Sequence, residues 1–163
     1  MGKRPTKETQ KSEYEIFENV PVLALNLKDK CIGFGSFAYV FRISPRRVIK
    51  IFDPCVSKEV INSEIEGSKC SKHSLPVLKI VKVKSRSLNF LYGVKGKRIY
   101  WGLVKRYIPY EVSEEEADQL RKQLERSRNE KVQMLAADCY EQNVRKDSRG
   151  SLWIVDTQLV FTD

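Results

Sequence analysis

DCYEQNVRKDSRGSLWIVD, from Asp138 to Asp156, is the stretch that decides how this sequence folds. It follows an apolar run and places an acid and an amide five residues apart, at Asp138 and Asn143. Gly150 marks a turn, and a hairpin closed there would bring Asn143 next to Asp156. Amide and carboxylate oxygens are hard ligands that suit Mg²⁺. Asp138 would then lie beside them as an acceptor for a hydroxyl proton.

The chain around this stretch predicts a helix and short strands. Ser113 to Glu116 forms a capping box that opens a helix, and Asn129 is predicted as the end of that helix. The apolar runs 132–135 and 152–155 predict two short strands on either side of the polar loop.

The first two thirds of the chain predict a mostly antiparallel sheet with one inserted helix, which is an α+β arrangement. The helix runs from Ser57 to about Ser71, and Pro109 ends the sheet. Strands are predicted over residues 27–32, 38–43, 47–52, 78–84, 88–92 and 98–107.

Small residues follow one another between the first two strands, as Gly33-x-Gly35-x-x-Ala38-x-Val40. Small side chains let backbone N–H groups approach phosphate oxygens closely. Alone the pattern is weak, since a plain β-turn explains it equally well. Lys50, flanked by apolar residues in a short strand, either points inward towards an anion or lies at the surface.

Helical spacing separates two glutamates of the inserted helix. At 100° per residue, Glu64 lies on the apolar stripe that begins at Val60, and Glu66 lies on the opposite side. A carboxylate on an apolar face is costly unless it is paired. Lys50 is the natural partner for Glu64.

Composition limits the classes of function. The 163 residues suit one domain, and 31% charged against 41% hydrophobic residues is typical of a soluble globular protein. The four cysteines form no C-x-x-C pair, which predicts reduced thiols in a cytoplasmic protein. His73 is the single histidine, which argues against a multi-histidine metal site and against a Ser-His-Asp hydrolase. No membrane span or signal peptide is visible.

Nine positions together resemble those of a known family: Gly33, Gly35, Ala38, Val40, Lys50, Glu64, Asp138, Asn143 and Asp156. They look like the glycine loop, strand lysine, helix glutamate, catalytic loop and metal aspartate of protein kinases. The resemblance covers about residues 25–163. It implies an ATP- and Mg²⁺-dependent protein kinase, of the serine/threonine type, with a protein as substrate.

The resemblance also implies a role for each residue. Lys50 would hold the α- and β-phosphates of ATP and pair with Glu64. Asn143 and Asp156 would bind Mg²⁺, and Asp138 would orient the attacking hydroxyl. A hinge would face adenine through backbone groups, so the implied ATP-binding set is Gly33, Gly35, Ala38, Val40, Lys50, Arg106, Tyr107 and Ile108.

The implied fold is two-lobed. Residues 1–20 are predicted as a flexible basic tail, residues 21–107 as a small lobe with a five-stranded antiparallel sheet and one helix, and residues 108–163 as a severely reduced large lobe. Such a reduction resembles the minimal effector kinases of the HopBF and OspG types that bacterial pathogens deliver into host cells. It implies a host protein as substrate and an activating protein partner. A reduced viral or phage kinase fits nearly as well.

Departures from the family keep other interpretations open. Ala136-Ala137 replaces the usual His-Arg, and Asp156-Thr157-Gln158 replaces Asp-Phe-Gly, which favours a pseudokinase that regulates a full-length kinase. A small-molecule kinase would need a larger second lobe. The net charge of +9 and the lysines at 79, 82 and 84 near aromatic residues also suit a nucleic-acid binder. We expect this basic face to dock an acidic protein instead.

Overall fold

The computed structural model describes residues 15–17, 31–34, 37–83, 88–89, 92–93, 95 and 99–156. The chain has a mixed α+β fold and divides into two compact units. Unit 1 comprises residues 1–56 and 77–107, and unit 2 comprises residues 57–76 and 108–163. The division after residue 107 coincides with the predicted one. Residues 57–76, which the sequence assigned to the small lobe, group with unit 2.

Unit 1 is built around a sheet. Its strands are β1 (Glu15–Phe17), β2 (Cys31–Phe34), β3 (Ala38–Ser44), β4 (Arg47–Phe52), β5 (Val77–Val83) and β6 (Tyr100–Arg106). Five strands pair antiparallel in the order β5-β6-β4-β3-β2, and β1 adds to β5 in parallel. The prediction of a five-stranded antiparallel sheet is confirmed, and residues 15–17 of the predicted tail form a strand.

One face of this sheet carries the hydrophobic core of unit 1. Alternate residues of a strand point to the same face, so Phe41, Ile49, Ile51 and Val104 meet on one side. The backbone at Gly102 lies close beneath this core. A Cβ atom placed there would be 2.9 Å from Val81 Cγ2, so only glycine fits without a shift of its neighbours.

The strand predicted over residues 88–92 is wrong. Leu88, Asn89 and Tyr92 are helical. The Tyr92 hydroxyl donates to the carbonyl of Ile51 at 2.7 Å, and the Tyr100 hydroxyl donates to Asn89 Oδ1 at 2.6 Å. A short apolar run does not distinguish a strand from a buried helix by its period alone, and here tertiary contacts favour the helix.

Unit 2 combines three helices with a small antiparallel sheet. Its elements are α1 (Lys58–Gly67), β7 (Tyr110–Glu111), α2 (Glu114–Glu125), α3 (Glu130–Ala136), β8 (Val144–Lys146) and β9 (Leu152–Ile154). The strands pair in the order β7-β8-β9. The apolar faces of α2 and α3 meet β8 and β9 in one core, which includes Leu120, Leu135, Cys139, Val144 and Ile154.

Capping residues explain why one helix start in unit 2 was predicted correctly and another was missed. The Ser113 hydroxyl accepts from Glu116 N at 3.2 Å, so the predicted N-cap is confirmed, whereas the Glu116 carboxylate accepts from Lys146 Nζ at 3.2 Å. The strand predicted over residues 132–135 is wrong, because that segment belongs to α3. Asn129 begins this helix instead of ending the previous one, since its Oδ1 accepts from the backbone N–H of Lys131 at 3.0 Å.

Within the described ranges, no helix has the length and apolar character that a membrane crossing requires.

Candidate functional site

The loop after α3 brings the predicted polar residues of unit 2 together. Asn143 Nδ2 donates to the backbone carbonyl of Asp138 at 2.9 Å, which folds the five-residue interval into a closed loop. Val155 N donates to the Asn143 carbonyl at 2.9 Å, and β8 and β9 pair as a hairpin. Asp156 is therefore the next residue after Val155, whose backbone N–H is bonded to Asn143. The hairpin prediction is confirmed.

The hydrogen bond to Asp138 also orients the Asn143 amide. Because the amide nitrogen is held by a carbonyl, Oδ1 is the atom that can ligate a cation. Oδ1 of Asn143 and the carboxylate oxygens of Asp156 are hard donors, a set that fits Mg²⁺ sharing its shell with phosphate. Among the described residues there is no cluster of three or more His, Cys, Asp or Glu side chains, so a protein-only metal cage is not formed there.

The turn of this hairpin is built by Asp147 and Gly150. Gly150 has a φ of +82°, a conformation that glycine adopts without strain. Asp147 Oδ1 accepts from Arg149 N and Ser151 N, both at 2.9 Å, and its Oδ2 accepts from Trp153 Nε1 at 3.0 Å. Asp147 is therefore a turn-forming residue, and the candidates for chemistry in this segment are the predicted acids at 138 and 156.

Sequence reasoning missed a segment that supports the hairpin from outside. Ile154 N donates to the His73 carbonyl at 2.7 Å, and Leu75 N donates to the Ile154 carbonyl at 3.0 Å. His73 Nδ1 lies 3.1 Å from the carbonyl of Leu152, and since a carbonyl only accepts, Nδ1 carries the proton. The segment after α1 thus extends the small sheet and fixes the strand that leads into Asp156.

Two of the three glutamates of α1, Glu64 and Glu66, differ in exposure as the helical spacing predicted. Glu64 is 1% exposed, whereas the Glu66 side chain is 46% exposed and forms an ion pair with Lys131. A carboxylate as deeply buried as Glu64 indicates a specific polar role and not a solvated helix face. Lys50 belongs to unit 1 and Glu64 to unit 2, so their predicted pairing stays a prediction.

Lys50 shares a sheet face with two of the predicted ATP-binding residues. Its direct partner on β3 is Val40, and Ala38 pairs with Phe52 two residues further along. Directly paired and alternate residues lie on the same side of a sheet, so all four are on the face opposite the core. Lys50 Nζ lies 5.3 Å from the centre of the Phe52 ring. This placement fixes the sheet face of Lys50, and its predicted contact with phosphate stays a prediction.

A second lysine lies on the same face. Lys105 is directly paired with Val48 and is 3% exposed. The sequence analysis missed the burial of Lys105, because the residue pattern of β6 does not reveal that Lys105 pairs with Val48 of β4. Buried lysines are rare and are usually functional or paired.

The glycine segment and the hinge are described only in part. Gly33 lies in β2, and within the described part of the chain a Cβ atom there would meet nothing within 4 Å. Gly35 lies outside the described residues. Tyr107 N donates to the Arg46 carbonyl at 2.8 Å, so this N–H is committed to the sheet. The Ile108 carbonyl accepts from Arg145 Nε at 3.1 Å, so this acceptor is also in use.

The lysines predicted on one face of β5 are described only in part, because Lys84 lies outside the described residues. Lys79 and Lys82 are three residues apart and pair with Val104 and Trp101 respectively, so they lie on opposite faces. Lys82 Nζ lies 4.7 Å from the centre of the Trp101 ring, whose face it covers. Tyr100 is fully buried. The Tyr100 ring is therefore not available for stacking with a base, and Lys82 occupies one face of Trp101.

The cysteines differ in exposure, from Cys139 in the core of unit 2 to Cys55 at the surface. All four are free thiols. Burial raises the pKa of Cys139 to about 11, and Cys55 is exposed.

No known protein family matches this chain, and no curated protein is detectably similar to it.

Proposed function

We propose that this chain is a minimal ATP- and Mg²⁺-dependent protein kinase that transfers the γ-phosphate of ATP to a protein hydroxyl. The observation that carries the proposal is the 2.9 Å hydrogen bond from Asn143 Nδ2 to the Asp138 carbonyl. It joins the proposed base to a proposed metal ligand, and the hairpin adds Asp156. The proposed fold is protein-kinase-like, with unit 1 as the small lobe and a reduced large lobe in unit 2.

Each role follows from the chemistry of the side chain. Asp138 accepts the proton of the attacking hydroxyl, and Lys50 contacts the nucleotide phosphates. Asn143 Oδ1 and Asp156 hold Mg²⁺, which neutralises phosphate charge when bound. Phosphoryl transfer depends mainly on positioning and charge stabilisation, so a small scaffold with fixed polar groups suffices. Glu64 is buried, and a buried carboxylate requires a polar or charged partner.

The runner-up is a pseudokinase that binds a nucleotide or a protein without transfer. The sequence departures after Asp156 and at Ala137 favour it, because the positions that usually support catalysis have changed. Transfer and binding must therefore be measured separately.

Transfer from radiolabelled ATP, to the chain itself and to casein, tests the catalytic assignment. Asp138→Asn and Asp156→Asn keep the side-chain shape and should each lower transfer by at least about a hundredfold. Glu141→Gln is the matched control, because Glu141 is an exposed acid of the same loop. If both Asp variants transfer as fast as the control, the mechanism is wrong.

Binding of a fluorescent ATP analogue tests the nucleotide site independently of transfer. Lys50→Met should weaken binding by about tenfold or more, since one charge-assisted contact to phosphate is lost. Lys95→Met removes an exposed lysine of the same unit and should leave binding unchanged. Saturable binding without measurable transfer in the unaltered chain would establish the pseudokinase.

A further inference from the structure

Charge is divided unevenly between the two units. Over the full sequence, unit 1 has 19 Lys and Arg against six Asp and Glu, a net charge of +13. Unit 2 has 11 against 15, a net charge of −4, and the two values account for the +9 of the whole chain. Residues 77–107 contain no acid at all. This asymmetry indicates that unit 1 meets an anionic partner.

Four exposed arginines lie at one end of the unit 1 sheet: Arg42, Arg46, Arg47 and Arg106. Arg47 and Arg106 are directly paired across β4 and β6, so they stand side by side on one face. Like charges in direct cross-strand register are destabilising.

The turn between β3 and β4 is held in a fixed geometry, because Tyr107 N donates to the Arg46 carbonyl at 2.8 Å. Arg42 is directly paired with Val48, so it lies on the sheet face opposite Arg47 and Arg106. Its guanidinium lies 4.1 Å from the centre of the Tyr107 ring, and its Nη2 donates to the Pro45 carbonyl at 3.0 Å. The turn backbone is therefore fixed next to Arg47, and less backbone freedom is lost when an anion binds there.

We propose that the arginine cluster binds a phosphorylated side chain of a partner protein. A carboxylate carries one charge and is matched by one guanidinium, whereas a phosphate monoester carries nearly two charges and three acceptor oxygens. The directly paired Arg47 and Arg106 match that dianion. A single-stranded nucleic acid would need stacking faces, but Arg42 covers the ring of Tyr107. The proposal does not depend on the proposed catalytic activity.

The test is an NMR titration of the full chain that follows the arginine Nε–H resonances, which detects even millimolar affinity. The probes are a short peptide with one phosphoserine among Gly and Ala residues, the same peptide with serine, and the same peptide with glutamate. A short single-stranded oligonucleotide is the fourth probe. The phosphopeptide should give saturable shifts at the cluster and bind at least about tenfold more tightly than the glutamate peptide.

Arg46→Gln/Arg47→Gln should weaken phosphopeptide binding by tenfold or more. Arg126→Gln/Arg128→Gln is the matched control, because it removes the same charge from two exposed arginines of unit 2. Circular dichroism spectra that match the unaltered chain show that both variants are folded. No saturable shift, equal binding of the phosphoserine and glutamate peptides, or equal weakening by both variants would overturn the proposal. Tighter oligonucleotide binding that is lost in Arg46→Gln/Arg47→Gln would replace it with a nucleic-acid surface.

Discussion

Replacing the Asn143 amide by a carboxylate separates the structural role of residue 143 in the loop 138–143 from its proposed role in binding Mg²⁺. In Asn143→Asp the donor to the Asp138 carbonyl is lost, and two acceptors face each other where a 2.9 Å hydrogen bond stood. The Asp138 carbonyl still accepts from Tyr140 N at 3.0 Å, so loss of the bond from Asn143 alone costs about 1 kcal/mol of unfolding free energy at pH 7. The new carboxylate is nevertheless a good Mg²⁺ ligand, so stability and metal affinity should change in opposite directions.

The assay is urea denaturation followed by circular dichroism, with Gln142→Glu as the matched control. Gln142 is the exposed neighbour of Asn143, and the same amide-to-acid change there should alter stability by less than about 0.5 kcal/mol. If Asn143→Asp is as stable as Gln142→Glu, the hydrogen bond does not hold the loop, and the main support for the proposed site is lost.

The pH dependence gives a second check on the Asn143→Asp variant. The introduced acid faces a carbonyl, and only its protonated form can donate to that carbonyl, so folding should raise its pKa. A raised folded pKa means that the acid adds no penalty below its unfolded pKa of about 3.9, and that the penalty grows as pH rises from there through the folded value. The stability gap to Gln142→Glu should therefore close towards pH 3.5 and be widest at pH 7.

Three further predictions concern stability and reactivity. Gly102→Ala should lower the unfolding free energy by about 1–3 kcal/mol through overpacking, whereas Gly33→Ala has open space and should cost less; equal costs would contradict the packing. His73→Leu should cost about 1 kcal/mol and His73→Asn, which keeps a donor near the position of Nδ1, should cost less; the reverse order would refute the bond. At pH 8 a thiol with a pKa of about 11 is ionised to about one part in a thousand, so iodoacetamide should modify Cys55 and spare Cys139 in mass spectra; rapid modification of Cys139 would show that it is accessible.

Local patterns predicted the elements whose signals lie within a few residues. The strand 47–52 was placed correctly because an apolar run is bounded by turn residues on both sides. The burial of Glu64 followed from helical spacing alone. The run 88–92 failed because its few apolar residues fit either period, and contacts from Tyr92 and Asn89 to the sheet decide for the helix.

The burial and orientation of several residues depend on contacts between distant parts of the chain, so local sequence patterns could not predict them. The burial of Lys105 depends on its register with Val48. Lys79 and Lys82 lie on opposite faces of the sheet, so they do not form one continuous basic surface. The grouping of residues 57–76 with unit 2 likewise depends on contacts between residues far apart in sequence. None of these pairings leaves a signal in a window of ten or fifteen residues.

The position of Asp156 depends both on local sequence spacing and on hydrogen bonds between distant residues. Sequence spacing predicted Asn143 and Asp156 as Mg²⁺ ligands, but a ligand needs a fixed orientation as well as a suitable oxygen atom. That orientation comes from the Asp138 carbonyl on one side and from the bonds that join His73 to β9, across 79 positions of sequence, on the other. Because those bonds use mainly backbone groups, side-chain identity at residues 73–75 does not reveal them. The segment after α1 therefore connects the helix of the buried Glu64 to the strand of Asp156 within a single unit.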